Sequence, residues 1–249
     1  LPVVWAMDDG QRVVPAQVSR VFSTGVKPVF RLRLASGRQV DATANHRFLT
    51  IAGWKRLDEL PVGEFLATPR IVPEPLPGEA VWSRDELGLL AHLIGDGTIG
   101  SGVKYATIDP ANRDYVAATA RSLFGIQAQA PVYNGTTQMW LPCPYRLTHG
   151  KYHPVRIWLE PHGLWLSRSG TKFIPQSVFS QPNADLAHFL HHLWATDGSL
   201  SINRRAAGPP VRCYYATNSR RLADDVQHAL GRLGIRTSIG RTLKSRPDG

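Results

Sequence analysis

The 249-residue sequence predicts an α+β fold: an all-β N-terminal part followed by two matched segments of helix and strand. Three observations carry this reading. Residues 1–70 alternate apolar and polar positions between closely spaced turns. A proline-rich stretch without period follows. Beyond it, two apolar runs, "LLAHLIGDGTI" and "LHHLWATDGSL", each end in an acid and a glycine, and each is followed by the same landmarks.

The β part is clearest in "VFRLRLASGRQVDAT". Phe30, Leu32 and Leu34 fall on one face and Arg31 and Arg33 on the other; Ser36-Gly37 turns the chain, and Val40 and Ala42 resume the period of two. Further turns stand at Thr24-Gly25, Gly53 and Pro61-Val62-Gly63. Residues 71–82 read as a linker, because prolines interrupt any period.

A helix then starts at Ser83-Arg84-Asp85-Glu86, which has capping-box spacing. Leu87, Leu89, Leu90, Leu93 and Ile94 follow, and Gly97 is expected to end the helix in a left-handed cap. The second helix is expected to start near Asn183-Ala184-Asp185 and to run through Leu186, Phe189, Leu190, Leu193 and Trp194 to Gly198. After the first acid come Tyr105-Ala106-Thr107, a polar helix start, and Phe124-Gly125-Ile126. After the second come Tyr215-Ala216-Thr217, a helix, and Leu233-Gly234-Ile235. Twenty residues separate Tyr105 from Gly125, nineteen separate Tyr215 from Gly234, and the two acids are 101 apart. Each segment therefore reads helix, acid, two strands, helix, strand, the last strand of the second being "IRTSIGRTLKS". A repeat of this kind implies twofold pseudo-symmetry, with the two helices side by side and the acids at one end.

Composition narrows the function. Net charge is +10 and the sequence pI about 10.1. Basic residues fall in strand-like stretches such as "VRCYY" and "IRTSIGRTLKSR", which predicts a polyanionic partner, nucleic acid before membrane, and salt-sensitive binding. Cys143 and Cys213 are the only cysteines. They exclude a disulfide scaffold and a four-cysteine metal site, and fit a reducing, cytoplasmic setting. No stretch approaches the roughly 20 apolar residues of a membrane span. The start, "LPVVWAMDDG", has neither signal-peptide pattern nor initiator Met and reads as an excised or truncated piece.

Asp-Gly alone is a common turn, but two copies in a matched repeat ask for a reason. Asp96 and Asp197 would repel each other, and both oppose a helix dipole. A divalent cation such as Mg²⁺ reverses that sign, because hard oxygen ligands suit it and it also accepts phosphate oxygens and water. Beside a basic surface, the reaction this points to is metal-assisted phosphodiester hydrolysis. Ala91 and Gly95 are small enough for close helix approach; the matching His192 and Thr196 are bulkier and predict looser apposition on that side. His191 and His192 have metal-ligand chemistry, but such a pair more often packs or faces solvent.

The paired "LLAHLIGDG" and "LHHLWATDG" runs resemble the motifs of LAGLIDADG homing endonucleases in their single-chain form. The resemblance covers roughly residues 83–249. It implies two αββαββα halves forming a saddle on double-stranded DNA, the second half here being incomplete, in a protein acting as a monomer. It also implies that Asp96 and Asp197 bind Mg²⁺ or Mn²⁺ at the scissile phosphates. "TKFIP" resembles the stretch carrying an active-site lysine in intein-borne members. That implies a charge-stabilising role for Lys172, against the plain alternative of a solvated loop lysine.

The N-terminal part adds "VDATANHRFLT", with Thr43 and His46 in T-x-x-H spacing. With the surrounding "VFRLRLASGRQVDATANHRFLT" and "GWKRLDELPVGEFLATP" it resembles the Hint splicing domain of inteins, nearest in wording to those inserted in bacterial replicative DNA helicases. The resemblance implies that His46 assists the scissile amide, that Thr43 supports the tetrahedral intermediate, and that the partners are flanking host segments, the exteins. Glu64 stands where Asp is usual. Neither junction nucleophile nor a terminal His-Asn is present, so the chain is expected not to complete splicing alone. Two other readings stay open: a DNA- or RNA-binding module without cleavage, and an intein that splices but carries an inactive endonuclease.

Overall fold

The computed structural model describes residues 2–76, 82–100, 102–133, 135–202 and 211–243. They form a mixed helix-and-sheet protein in two compact units: Leu1–Pro73 with Leu230–Gly249, and Glu74–Ala229. The segment from Leu230 onward, which the sequence division placed with the second part, clusters with the first. The sequence linker 71–82 lies partly outside the described residues, which omit 77–81.

The first unit is built of antiparallel hairpins. β1 (Val3–Met7) pairs with β2 (Val13–Gln17). β3 (Val29–Arg33) pairs with β4 (Gln39–Thr43) in the register the alternation predicts, Phe30 opposite Ala42 and Leu32 opposite Val40. On the other face Arg31 meets Asp41 at 2.8 Å, a solvent-exposed cross-strand pair. β5 (Arg47–Thr50) and β6 (Gly53–Arg56) close on a two-residue turn, where Gly53 takes φ +99° at no steric cost. Residues 66–67 return to β5 through a bridge from Leu66 to Thr50 and a bond from the Ala67 amide to the Leu49 carbonyl. Among the described residues Ala42 is the only buried apolar side chain here, and Phe30, Trp54 and Phe65 are exposed.

The stretch "IRTSIGRTLKS" departs from its predicted strand. Residues 235–243 carry no regular structure, and 244–249 lie outside the described residues. The Ile239 amide donates to the Ser36 carbonyl at 3.0 Å. That bond stands at the β3–β4 turn, outside any named strand.

The second unit begins at α1 (Arg84–Gly95), capped as predicted: the Glu86 amide donates to Ser83 Oγ, and Glu86 accepts from the Ser83 amide at 2.8 Å. α1 is apolar on nearly every side, and Leu87, Leu89, Leu90, Ala91, Leu93 and Ile94 are all buried, as a helix without a polar face must be. β7 (Gly97–Ile99), β8 (Val103–Thr107), α2 (Pro110–Phe124), β9 (Val132–Tyr133), β10 (Thr136–Trp140) and α3 (Pro154–Leu159) follow. The order is helix, two strands, helix, two strands, helix. The four strands make one antiparallel sheet in the order β7-β8-β10-β9.

A short α4 (Gln176–Phe179) leads to α5 (Asn183–Asp197), which starts where predicted and packs along α1 through Leu186, Phe189, Leu190 and Leu193. β11 (Gly198–Ile202), β12 (Val211–Tyr215) and α6 (Arg220–Arg232) complete the chain's regular structure among the described residues. The hairpins after the two acids share a register. Gly97 lies opposite Tyr105, and Gly198 lies opposite Tyr215. The Asp96 carbonyl accepts from the Ala106 amide at 3.4 Å and the Asp197 carbonyl from the Ala216 amide at 3.2 Å. Thr107 Oγ1 accepts from the Asp109 amide and Thr217 Oγ1 from the Ser219 amide, both at 3.1 Å. Gly125 and Gly234 both follow their helices in the left-handed region, at φ +68° and +77°.

Gly97 does not. α1 ends on Asp96 at φ −93°, ψ 5°, and Gly97 opens β7. The last carbonyls of α1 are satisfied by a side chain instead.

Candidate functional site

Two groups of predicted residues lie in separate units. In the second unit, Asp96 is the half-buried residue at the end of α1 and Asp197 the exposed residue at the end of α5. The helices approach closely because glycine sits on one side: a Cβ on Gly95 would overlap the Thr196 side chain. The looser apposition predicted for Thr196 is thus corrected, since the bulk on one helix fills the space the other leaves. The Asp96 carboxyl is pushed up to about 6, first by burial and then by the charge of Asp197, with Lys172 acting against both. Asp197 is therefore near enough for its charge to act on Asp96, and Lys172 only partly offsets that repulsion.

Lys172 is no solvated loop lysine. It is 4% exposed, and its ammonium donates to the carbonyls of Leu93 at 3.0 Å, Gly95 at 2.9 Å and Gly97 at 2.6 Å. Burial pulls it down to about 8, against the pull of Asp96 and Asp197 toward the charged form.

Tyr105 and Tyr215 stand opposite the glycines that follow the acids. Burial, then the neighbouring carboxylates, keeps both hydroxyls protonated well above the usual phenol range. His92, which sequence reasoning passed over, is fully buried between the helices. Its Nδ1 lies 2.9 Å from the Tyr105 hydroxyl and its Nε2 3.1 Å from His192 Nδ1. His192 also stacks on Tyr115 at 4.2 Å. Its ring is thus taken up in packing, while His191 is exposed. The available signal was a histidine inside an otherwise wholly apolar run.

The exposed face of the four-stranded sheet carries Thr98, Lys104 and Trp140 in register across β7, β8 and β10. The Lys104 ammonium lies 5.1 Å from the Trp140 ring centre, within cation–π range.

In the first unit Thr43, the last residue of β4, and His46 flank the turn between β4 and β5. The His46 amide donates to the Thr43 carbonyl at 3.0 Å, and the Thr43 hydroxyl donates to Asn45 Oδ1 at 2.9 Å. The turn is pinned from below: the Leu57 amide donates to the His46 carbonyl at 2.9 Å and the Asp58 amide to the Ala44 carbonyl at 3.1 Å. The His46 side chain is exposed, its ring edge-on to Phe48 at 5.1 Å. Glu64 forms an ion pair with Lys55 at 2.7 Å.

Residues 3–239 match the family of intein splicing domains, and the chain belongs to that family. Within it the relationship is to the inteins of replicative DNA helicases. The chain is 42% identical over 243 residues to the replicative DNA helicase DnaB of Synechocystis, covering 96% of this chain and 28% of that protein. It is 42% identical over 241 residues to the DnaB of Rhodothermus marinus, covering 95% and 25%. The chain thus spans about a quarter of the length of these curated relatives. A crystal structure of an Ssp DnaB mini-intein variant is 54% identical, over 27% of this chain and 43% of that one, with a TM-score of 0.26. Among the described residues no helix is long and apolar enough to cross a membrane.

Proposed function

We propose that this chain belongs to an intein hosted by a replicative DNA helicase. On this reading the first unit belongs to the splicing machinery and the second is a LAGLIDADG-type homing endonuclease that cuts double-stranded DNA at one long site. The observation that carries the endonuclease reading is the pairing of Asp96 with Asp197. Both stand at the same point of corresponding helix–hairpin–helix segments, and Asp197 is close enough to help raise the Asp96 carboxyl.

Two carboxylates suit Mg²⁺ or Mn²⁺, with water and phosphate oxygens completing the shell. Among the described residues no three His, Cys, Asp or Glu side chains gather into a site; DNA and water would supply the remaining ligands. Asp96 and Asp197 would hold the ion. When bound, it would polarise the phosphate and lower the pKa of an attacking water. The chain's own contribution is to position the acids at the bottom of two packed helices and to present an outer sheet face of Thr98, Lys104 and Trp140 toward the duplex. Lys and Thr there suit phosphates and base edges.

The splicing reading rests on the Thr43–His46 turn. It holds an imidazole outward, free to donate to a peptide bond, with the Thr43 hydroxyl two residues from its Asn45 acceptor. The exteins would be the flanking segments of the helicase.

The test uses the full-length parent with both flanking segments. With Mg²⁺ and DNA carrying the uninterrupted host gene, one double-strand cut is expected. Asp96→Asn should abolish the cut yet leave splicing intact, and His46→Ala should do the reverse. Binding that persists in EDTA, with no metal-dependent nicking, would assign the second unit to recognition without cleavage. Ligated flanks with no DNA cut would leave splicing alone.

A further inference from the structure

We propose that Lys172 is a positioning residue: its ammonium fixes the backbone on both sides of Asp96 and does not contact the phosphate. What Asp96 does once positioned rests on the endonuclease reading above; the positioning itself does not.

An ammonium has three donors and no acceptor. All three of those of Lys172 are engaged, by the carbonyls of Leu93, Gly95 and Gly97. None is left for a phosphate oxygen. The carbonyls at the end of a helix lack intrahelical partners and carry the negative end of its dipole. A left-handed glycine commonly satisfies them. Here Gly97 is already the first residue of β7, and a Cβ there would overlap the Leu93 carbonyl. Lys172 does the capping instead. The peptide carbonyls of residues 95, 96 and 97 are then each held, the outer two by Lys172 and the middle one by the Ala106 amide. Asp96 has little freedom left except in its side chain.

Lys172 is itself anchored from Ser219, just before α6, and its neighbours from α6. Ser219 Oγ donates to the Lys172 carbonyl at 2.6 Å, and the Ile174 amide donates to Asp225 Oδ2 at 2.9 Å. Between them Phe173 lies under the Arg221 guanidinium at 3.6 Å. The segment therefore ties the helix end that carries Asp96 to the start of α6, the helix that follows the second hairpin.

The first measurement needs no variant. In the metal-free, DNA-free protein the Lys172 Nζ protons should exchange slowly enough to be seen by NMR, unlike those of solvated lysines; rapid exchange would overturn the proposal. Next come Lys172→Met and, with its shorter amide donor, Lys172→Gln. Amides of residues 96–99 and 105–107 should exchange at least about tenfold faster while those of α2 stay unchanged. Mn²⁺ should bind roughly tenfold more weakly, the usual loss when a residue behind a ligand is removed. The sign is the discriminator: removing a nearby positive charge alone would tighten cation binding. The slope of DNA affinity against salt should stay the same, whereas loss of a phosphate contact lowers it by about 0.9. Tighter Mn²⁺ binding with unchanged exchange, or that smaller slope, rejects the positioning role. If the unaltered protein binds no Mn²⁺, the metal reading fails, and the Nζ and amide data still decide this one. If neither variant folds, the Nζ measurement decides.

Discussion

Gly95 lies against Thr196 so closely that an added methyl group would share space with the threonine side chain. The two hold corresponding places in the repeat, each directly before its acid. A hydrogen bond from Thr196 Oγ1 to the Leu193 carbonyl at 2.6 Å keeps the threonine in place. Gly95→Ala should therefore lower stability by about 1–3 kcal/mol, the usual range for overpacking, despite the better helix propensity of alanine. Thermal denaturation measures it. Thr196→Gly in the same protein should recover part of the loss; no recovery would mean the contact is not the cause.

The His92–His192 bond makes a pH prediction. Imidazoles ordinarily titrate near 6.5. Burial first, then neighbouring histidines, moves His92 down to about 3 and His192 down to about 4. The neighbours acting on His192 are His188 and His191. In the unfolded chain both rings take up protons as pH falls below about 6.5, while the folded protein must keep them neutral. Their contribution to stability is intact above that pH and is lost progressively down to the folded values. Asp109, the last and smallest of the influences on His92, does not offset this. The urea midpoint should fall from pH 7 to pH 5, and His192→Phe should flatten the fall. An equal slope in that variant would remove the histidines from the account.

Asp96 works with the opposite sign. Its carboxyl is raised from 3.8 to about 6, so its cost to folding is full above the raised value and is relieved as pH falls toward the ordinary one. Asp96→Asn should raise stability at pH 8 in EDTA by about 1 kcal/mol, a figure already reduced for solvent screening of a half-exposed group. Added Mg²⁺ should raise the melting temperature of the unaltered protein and not that of the variant. A variant that melts lower in EDTA would show that the carboxylate is structurally satisfied after all.

Much of this was legible in the sequence because it is local. The capping box at Ser83, the period of two in 29–43, and the spacing from each acid to its "YAT" depend on neighbouring residues alone, and each appears in the structure. What escaped depends on distant partners. Gly97 was expected in a left-handed cap, and only Lys172, 75 residues further on, makes that cap unnecessary. His92 is silent in sequence until His192 and Tyr105 meet it. "IRTSIGRTLKS" alternates like a strand, but its described residues carry no strand, and Ile239 instead meets the Ser36 carbonyl at a turn.

The sheet face gives the last prediction. Lys104 and Trp140 lie opposite each other on β8 and β10, both exposed, with the ammonium over the ring. If this face meets DNA, Lys104 contributes a phosphate contact. Lys104→Ala should then reduce the slope of log affinity against log salt by about 0.9 and weaken binding on all sequences alike. Trp140→Ala should act differently: it removes apolar surface and the support under Lys104, but no charge of its own. A small loss with a nearly unchanged slope is expected. Fluorescence anisotropy on a labelled duplex from roughly 50 to 200 mM salt separates the two. Equal slopes for the unaltered protein and Lys104→Ala would move the duplex off this face, and with it the part of the endonuclease reading that depends on the sheet.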